Sequence, residues 1–351
     1  MEYLLFYLNR QVQPRRIWWS PTKEAQDLDA LLDKTFTTEF RTGYTNVAGM
    51  TVPNTFPPVA ERIDRMTVYD DDVWLGGFPT ADSTLVQEMV WYLGNNLDDI
   101  GAVMELEVRF PLLEASGLLD KSALIEAYPE VKHHLFAQDS IEYVKSIPRP
   151  RYIQSNLPLH LLPWSWQSGQ TNAKMIYVYK EPEDVCMSFF KYAKHIAFRG
   201  TFEQFATLFL NDRVPFAPFW SHVISFWNKR NDLSYNILFL RYKEIEDDLA
   251  SVVTKVRAFL NKPPLSKPEM ELVLDHLSPQ NMENNPAVNH RYLFEFAKEY
   301  LNIPEEEEVV GEDEEDQQEA KMTPELQAKF DDWVFKKIRG TDFYLGRDVQ
   351  N

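Results

Sequence analysis

The stretch RYIQSNLPLHLLP (151–163), followed after a short linker by KMIYVYKEPEDVCMSFF (174–190), decides the fold. Each half reads as a short apolar strand, then a proline and a helix start. Two such βα corners are expected to lie side by side in a parallel sheet. Gln154, Ser155 and Asn156 then fall at one strand end and Lys180 at the next, with Ser188 in the helix that follows.

Upstream, RIDRMTVYDDDVWLGGFPTADSTLVQEMVWYLGNN (62–96) has the same grammar. Val73, Trp74 and Leu75 make a buried strand, and Gly76 and Gly77 a tight exit. Ser83 or Thr84 is expected to cap a helix that turns Leu85, Met89, Val90 and Leu93 inward. The loop Phe78, Pro79, Thr80, Ala81, Asp82, Ser83, Thr84 is of the kind that binds phosphate, because backbone N–H groups and the helix's positive end converge there. An ordinary βα turn explains the same residues.

Downstream, Phe202, Phe205, Phe209, Phe216, Phe219, Trp220, Phe226 and Trp227 recur at helical spacing, as core or as a ligand-facing wall. NILFLRY (236–242) is a further strand, expected to lead into one helix running to Leu260. Proline and glycine between Gly49 and Pro58 indicate loop. Before it come Trp18, Trp19 and a polar helical pattern, read as an N-terminal segment (1–60) that packs on the main domain (61–351).

The chain has 351 residues and a formal charge of −18, which discourages nucleic-acid and anionic-membrane partners. Ten acidic residues and no basic ones lie in 305–319, so the rest carries only −8. Such a run is expected to be disordered. The one cysteine, Cys186, excludes an internal disulfide and suits a reducing compartment. No secretory signal or membrane-length apolar run is legible, which points to the cytoplasm. No metal-ligand spacing, Gly-x-Ser-x-Gly or intact Walker loop is present.

RIDRM, DDVW, PRPRYI, NLPLHLLP, IYVY and EPEDV, in this order, resemble the cytosolic sulfotransferase family, most closely its arthropod, retinol dehydratase-like members. The resemblance covers 62–289 and resumes over 321–345. It implies an α/β fold, a P-loop-type parallel sheet flanked by helices, with the ligand crevice at the strand C-terminal ends. It also implies where the chemistry belongs. The family's Lys-Thr-His-Leu-Pro corner, whose His is the base, reads Gln154, Ser155, Asn156, Leu157, Pro158. The loop lysine that steadies the bridging oxygen of 3′-phosphoadenosine 5′-phosphosulfate (PAPS) is Thr80, the loop glycine is Asp82, and the adenine-stacking tryptophan is Leu85. Lys180, Ser188 and Tyr242 keep a residual nucleotide site. Phe110, Leu112 and Leu113, in FPLLEASGLL (110–119), match the acceptor-pocket segment, though core packing serves them equally. His160 is the only histidine close in sequence to the replaced base; His133 and His134 read as surface or core. NMENNPAVNH (281–290) resembles the Met-Lys-x-Asn-Pro box. The Arg-Lys-Gly segment that grips the 3′-phosphate is replaced by the acidic run.

The resemblance therefore implies a crevice short of four cationic contacts. Each such contact contributes roughly 1.5–3 kcal/mol, and a discounted loss of about 5 kcal/mol weakens donor binding several thousand-fold. Replacing the base removes a further ~10²–10⁴ in rate. The expected function is a family homologue without PAPS binding or sulfuryl transfer, with no intact catalytic residue and no cofactor, binding a small hydrophobic or hydroxylated molecule. The alternative is an active divergent sulfotransferase, or a dehydratase of the retinol type, using PAPS and releasing PAP, on phenols, alcohols, sterols or retinoids. A third is a regulatory protein whose 305–319 run binds a basic protein or an active paralogue.

Overall fold

The computed structural model describes residues 23–41, 43–80, 83–133, 138–196, 198–300 and 322–343. Trp18, Trp19, Ala81, Asp82, His134 and the acidic run lie outside them.

A helix over Lys23–Phe36 leads into an antiparallel hairpin of β1 (Tyr44–Val47) and β2 (Met50–Pro53). The expected loop from Gly49 to Pro58 is thus mostly regular structure. Ala48 and Gly49, both with positive φ, form a two-residue turn, which suits the twist of a hairpin. Pro57 opens the helix Pro57–Asp64, where its missing N–H has no partner to lose.

Four parallel strands carry the fold: β3 (Val73–Gly77), β4 (Tyr152–Ser155), β5 (Lys174–Tyr179) and β6 (Asn236–Arg241), in the order β4-β3-β5-β6. Gly76 and Gly77 belong to β3 rather than to its exit. A side chain at Gly76 would press within 3.1 Å of Met175 and 3.3 Å of Tyr177 on the neighbouring strand. The α/β architecture, a parallel sheet flanked by helices, is as expected.

Alternation along the strands explains the core. Trp74, Ile153, Met175, Tyr177 and Tyr179 pack on one face with the helices Pro182–Ile196, Phe202–Leu210, Phe219–Trp227 and Pro324–Ile338. Val73, Leu75, Tyr152, Ile176 and Val178 pack on the other, against the helices Ser83–Gly94 and Leu249–Phe259. The helix expected to run to Leu260 is two helices, Tyr242–Asp247 and Leu249–Phe259, because Asp248 caps the second by accepting the Ser251 N–H. Phe202, Phe205, Phe209, Phe216, Phe219, Trp220 and Phe226 are buried core.

A buried ion pair fixes the sheet's N-terminal end. Arg151 donates from Nε to Asp72 Oδ1 (2.8 Å) and from Nη2 to Asp72 Oδ2 and the Thr67 carbonyl. The backbones of the same two residues bond β3 to β4 and β5: Val73 N–H to Arg151 O (2.8 Å) and Lys174 N–H to Asp72 O (3.0 Å). Removing one member leaves an uncompensated buried charge, so Asp72→Ala or Arg151→Ala is expected to cost about 3–5 kcal/mol in denaturant unfolding. The pair Asp72→Leu/Arg151→Met is expected to cost less than either single change. Single variants within 1 kcal/mol of the parent would show that register does not depend on the pair.

Candidate functional site

The register sets the C-terminal ends of the strands side by side: Gly76 opposite Ser155, Gly77 opposite Val178, Tyr179 opposite Arg241. The corners that follow these ends therefore lie together at one end of the sheet, where the ligand crevice is expected.

At the β5 corner the structure brings the expected residues together. Lys180 Nζ lies 3.4 Å from Ser188 Oγ and 4.9 Å from the centre of the Tyr242 ring. A cation, a hydroxyl and an aromatic face converge, a set suited to one phosphate beside a planar base. Next to them Arg241 is paired with Glu181 at 2.8 Å, which keeps that guanidinium's charge compensated within the fold.

At the β3 corner the helix begins at Ser83, with Thr84 in its first turn. Thr84 Oγ1 is 2.8 Å from His290 Nε2, and His290 Nδ1 meets the Glu107 carboxylate. His290 closes NMENNPAVNH, the segment that resembles the Met-Lys-x-Asn-Pro box. Thr80 has a φ of +62°, uncommon for a β-branched residue, and its hydroxyl donates to the Pro79 carbonyl at 2.6 Å. Phe78 is buried and meets Phe189, Phe209, Phe219 and the His222 ring edge to face. It anchors the loop rather than lining it.

The β4 corner holds two groups that the sequence reading missed. Glu114 is fully buried; it accepts the Asn156 N–H at 2.6 Å and the Ser155 hydroxyl at 3.0 Å. Burial pushes its carboxyl up to about 7, against the pull of these hydrogen bonds. His222, also buried, is held down to about 3 by burial and is therefore neutral. Its Nε2 contacts the Asn156 carbonyl and its Nδ1 the Tyr177 hydroxyl, both at 2.8 Å. A carbonyl only accepts, so the ring proton sits on Nε2 and Tyr177 donates to Nδ1. One signal was legible: His222 interrupts the apolar run FWSHVISFW, and Glu114 interrupts FPLLEASG.

Gln154 accepts from Gln87 Nε2 at 2.9 Å. His160 is held away by the hairpin turn, with Nε2 3.0 Å from the Ala48 carbonyl. Phe110 and Leu113 are fully buried, in the cores on opposite faces of the sheet, and Leu112 is half-buried. Among the described residues no group of three or more His, Cys, Asp or Glu could hold a metal ion. None of their helices is long and apolar enough to cross a membrane.

A protein-family model, the sulfotransferase domain, matches residues 70–342. The chain is 32% identical to luciferin sulfotransferase of Photinus pyralis over 81% of its length and 76% of the relative's. It is 29% identical to Sulfotransferase 4A1 of Homo sapiens over 68% of its length and 76% of the relative's. The solved structure of retinol dehydratase with androsterone and the inactive cofactor PAP superposes with a TM-score of 0.76 at 22% identity, covering 92% of this chain and 96% of that one.

Burial raises Glu114, so the folded chain holds its proton as pH rises from 4.5 to about 7 while the unfolded chain has released it. Stability from this group is therefore present below pH ~4.5 and is lost through pH ~7, by roughly 3 kcal/mol. Glu114→Gln is expected to remove that part of the decline in melting temperature across the window. An unchanged pH profile in the variant would mean that Glu114 titrates normally.

Proposed function

The chain belongs to the sulfotransferase family, and on that premise we propose that it is a ligand-binding homologue that neither holds PAPS tightly nor transfers its sulfuryl group. The ligand class is a small apolar or hydroxylated molecule. The observation that carries this reading is the β4 corner. Asn156, an amide, stands where the family's base stands, and the nearby histidine, His222, is neutral and buried with both ring nitrogens engaged. An amide does not take a proton from a hydroxyl near neutral pH, and a ring held at about 3 is a poor acceptor.

The donor side supports the same reading. Lys180, Ser188 and Tyr242 fit one phosphate of a nucleotide. Thr80 and Gln154 do not fit the bridging oxygen of a phosphosulfate, since neither is a cation, and their side chains bond within the fold. These residues supply no transfer step through PAPS. Asp82, which lies outside the described residues, would add a negative charge to the same loop. Residual nucleotide affinity then rests on the Lys180 corner. A cytosolic location, suggested by the single buried Cys186, and a basic protein partner for the 305–319 run belong to the proposal as well.

Calorimetric titration with PAP tests the donor side. The expected dissociation constant is weaker than about 100 μM, and Lys180→Ala should weaken what remains by roughly tenfold. Micromolar binding would overturn the proposal, as would labelled-sulfate transfer above blank to a panel of phenols, sterols and retinoids.

A further inference from the structure

Away from the crevice, the segment after the helix Ser83–Gly94 presents its large apolar side chains to water. In the turn Gly101–Val103 and its flanks, Ile100 is 86% exposed, Val103 77% and Met104 47%, while the small Ala102 is buried. A turn shaped only by folding would bury the larger residues. This one is held rigidly. Gly101 and Ala102 N–H groups donate to Asp98, and the Met104 carbonyl accepts from Arg109 Nε at 2.9 Å. Arg109 is in turn paired with the buried Glu88 and lies 4.4 Å over the Trp91 ring. A side chain at Gly101 would strike Asp98 and Trp91 at 2.5 and 2.6 Å, so the turn sits tight on the helix.

Asp99, one residue before Ile100, is also part of the wall of a cavity of about 310 Å³, together with Tyr92, Asp275, Asn281, Asn284 and the exposed Leu272. Most side-chain donors of this wall, which also includes His276 and Asn285, are engaged within the protein, His276 Nε2 meeting Glu88 Oε1 at 2.7 Å. Tyr92 donates to Asp99 at 2.5 Å, Asn281 Nδ2 to the Asp275 carbonyl at 2.7 Å and Asn284 Nδ2 to the Gln280 carbonyl at 2.9 Å. The two carboxylates of this wall favour a positive charge on a group that enters the cavity.

We propose that this face is a docking site for a basic, apolar segment of a partner protein. A Lys or Arg side chain enters the cavity beside Asp99 and Asp275, and apolar residues of the same segment cover Ile100 and Val103. Charge selects this occupant. A second copy of the chain would set Asp98, Asp99 and Glu105 against their own kind, and an anionic membrane would be repelled by them. The chain's own acidic run carries the wrong sign.

The test is fluorescence anisotropy with a labelled amphipathic helix of Leu and Lys, against a scrambled peptide of the same composition. The full chain is compared with Ile100→Ser/Val103→Ser and Asp99→Asn/Asp275→Asn, and melting temperatures verify that both variants fold. Each pair is expected to weaken binding by about tenfold or more, and binding should fall on moving from low salt to about 0.15 M. Three results would overturn the proposal: binding within about twofold of the parent in either folded variant, which places the peptide elsewhere; association with phosphatidylserine vesicles lost in the apolar pair; or a sedimenting dimer that the apolar pair dissolves.

Discussion

The Asp72–Arg151 pair closes the end of the sheet opposite the crevice, and the rest of the fold depends on where it sets the strands. Both residues use side chain and backbone at once, so the charge pair and the first ladder bonds form together. A one-residue slip of β4 along β3 would exchange Ile153 with Tyr152 across the two core faces. It would also carry Gly76 away from Ser155, and with it the crevice. A buried pair contributes little net stability over an apolar substitute, but it discriminates strongly between registers, because a shifted register leaves charges unpaired in the core.

At the other end of the sheet, the corners are held by polar groups buried beneath them. Glu114 fixes Ser155 and the Asn156 N–H from one side, and His222 fixes the Asn156 carbonyl from the other. Tyr177 holds His222, and Phe78 packs on the same ring, so the β3, β4 and β5 corners share one support. That support does not require a histidine at 156. Glu114 reaches the backbone N–H and His222 the carbonyl, so the frame tolerates an exchanged side chain there.

The fold was legible because its signals are local. Apolar runs of strand length followed by proline and a helix start appear three times, and alternation along them predicts both core faces. The β1–β2 hairpin was missed because Ala48 contributes half of its turn, and alanine with positive φ leaves no composition signal. The break at Asp248 was missed because one capping aspartate inside a helical pattern looks like a surface residue. At the site, the Lys180–Ser188–Tyr242 grouping was found because two of its members lie in one βα unit and the third begins the helix after β6. Glu114, His222 and His290 were missed because each acts on residues 41 to 206 positions away, which no periodicity encodes.

The Thr84–His290–Glu107 chain distinguishes the β3 corner from a plain anion cradle. A hydroxyl in the first turn of a helix normally serves whatever the helix's positive end attracts. Here it faces an imidazole whose other nitrogen is held by a carboxylate, so the proton on Nδ1 is fixed and Nε2 is left to take the threonine proton. Thr84 therefore points its hydrogen at His290 and can offer an anion only the lone pairs of its oxygen.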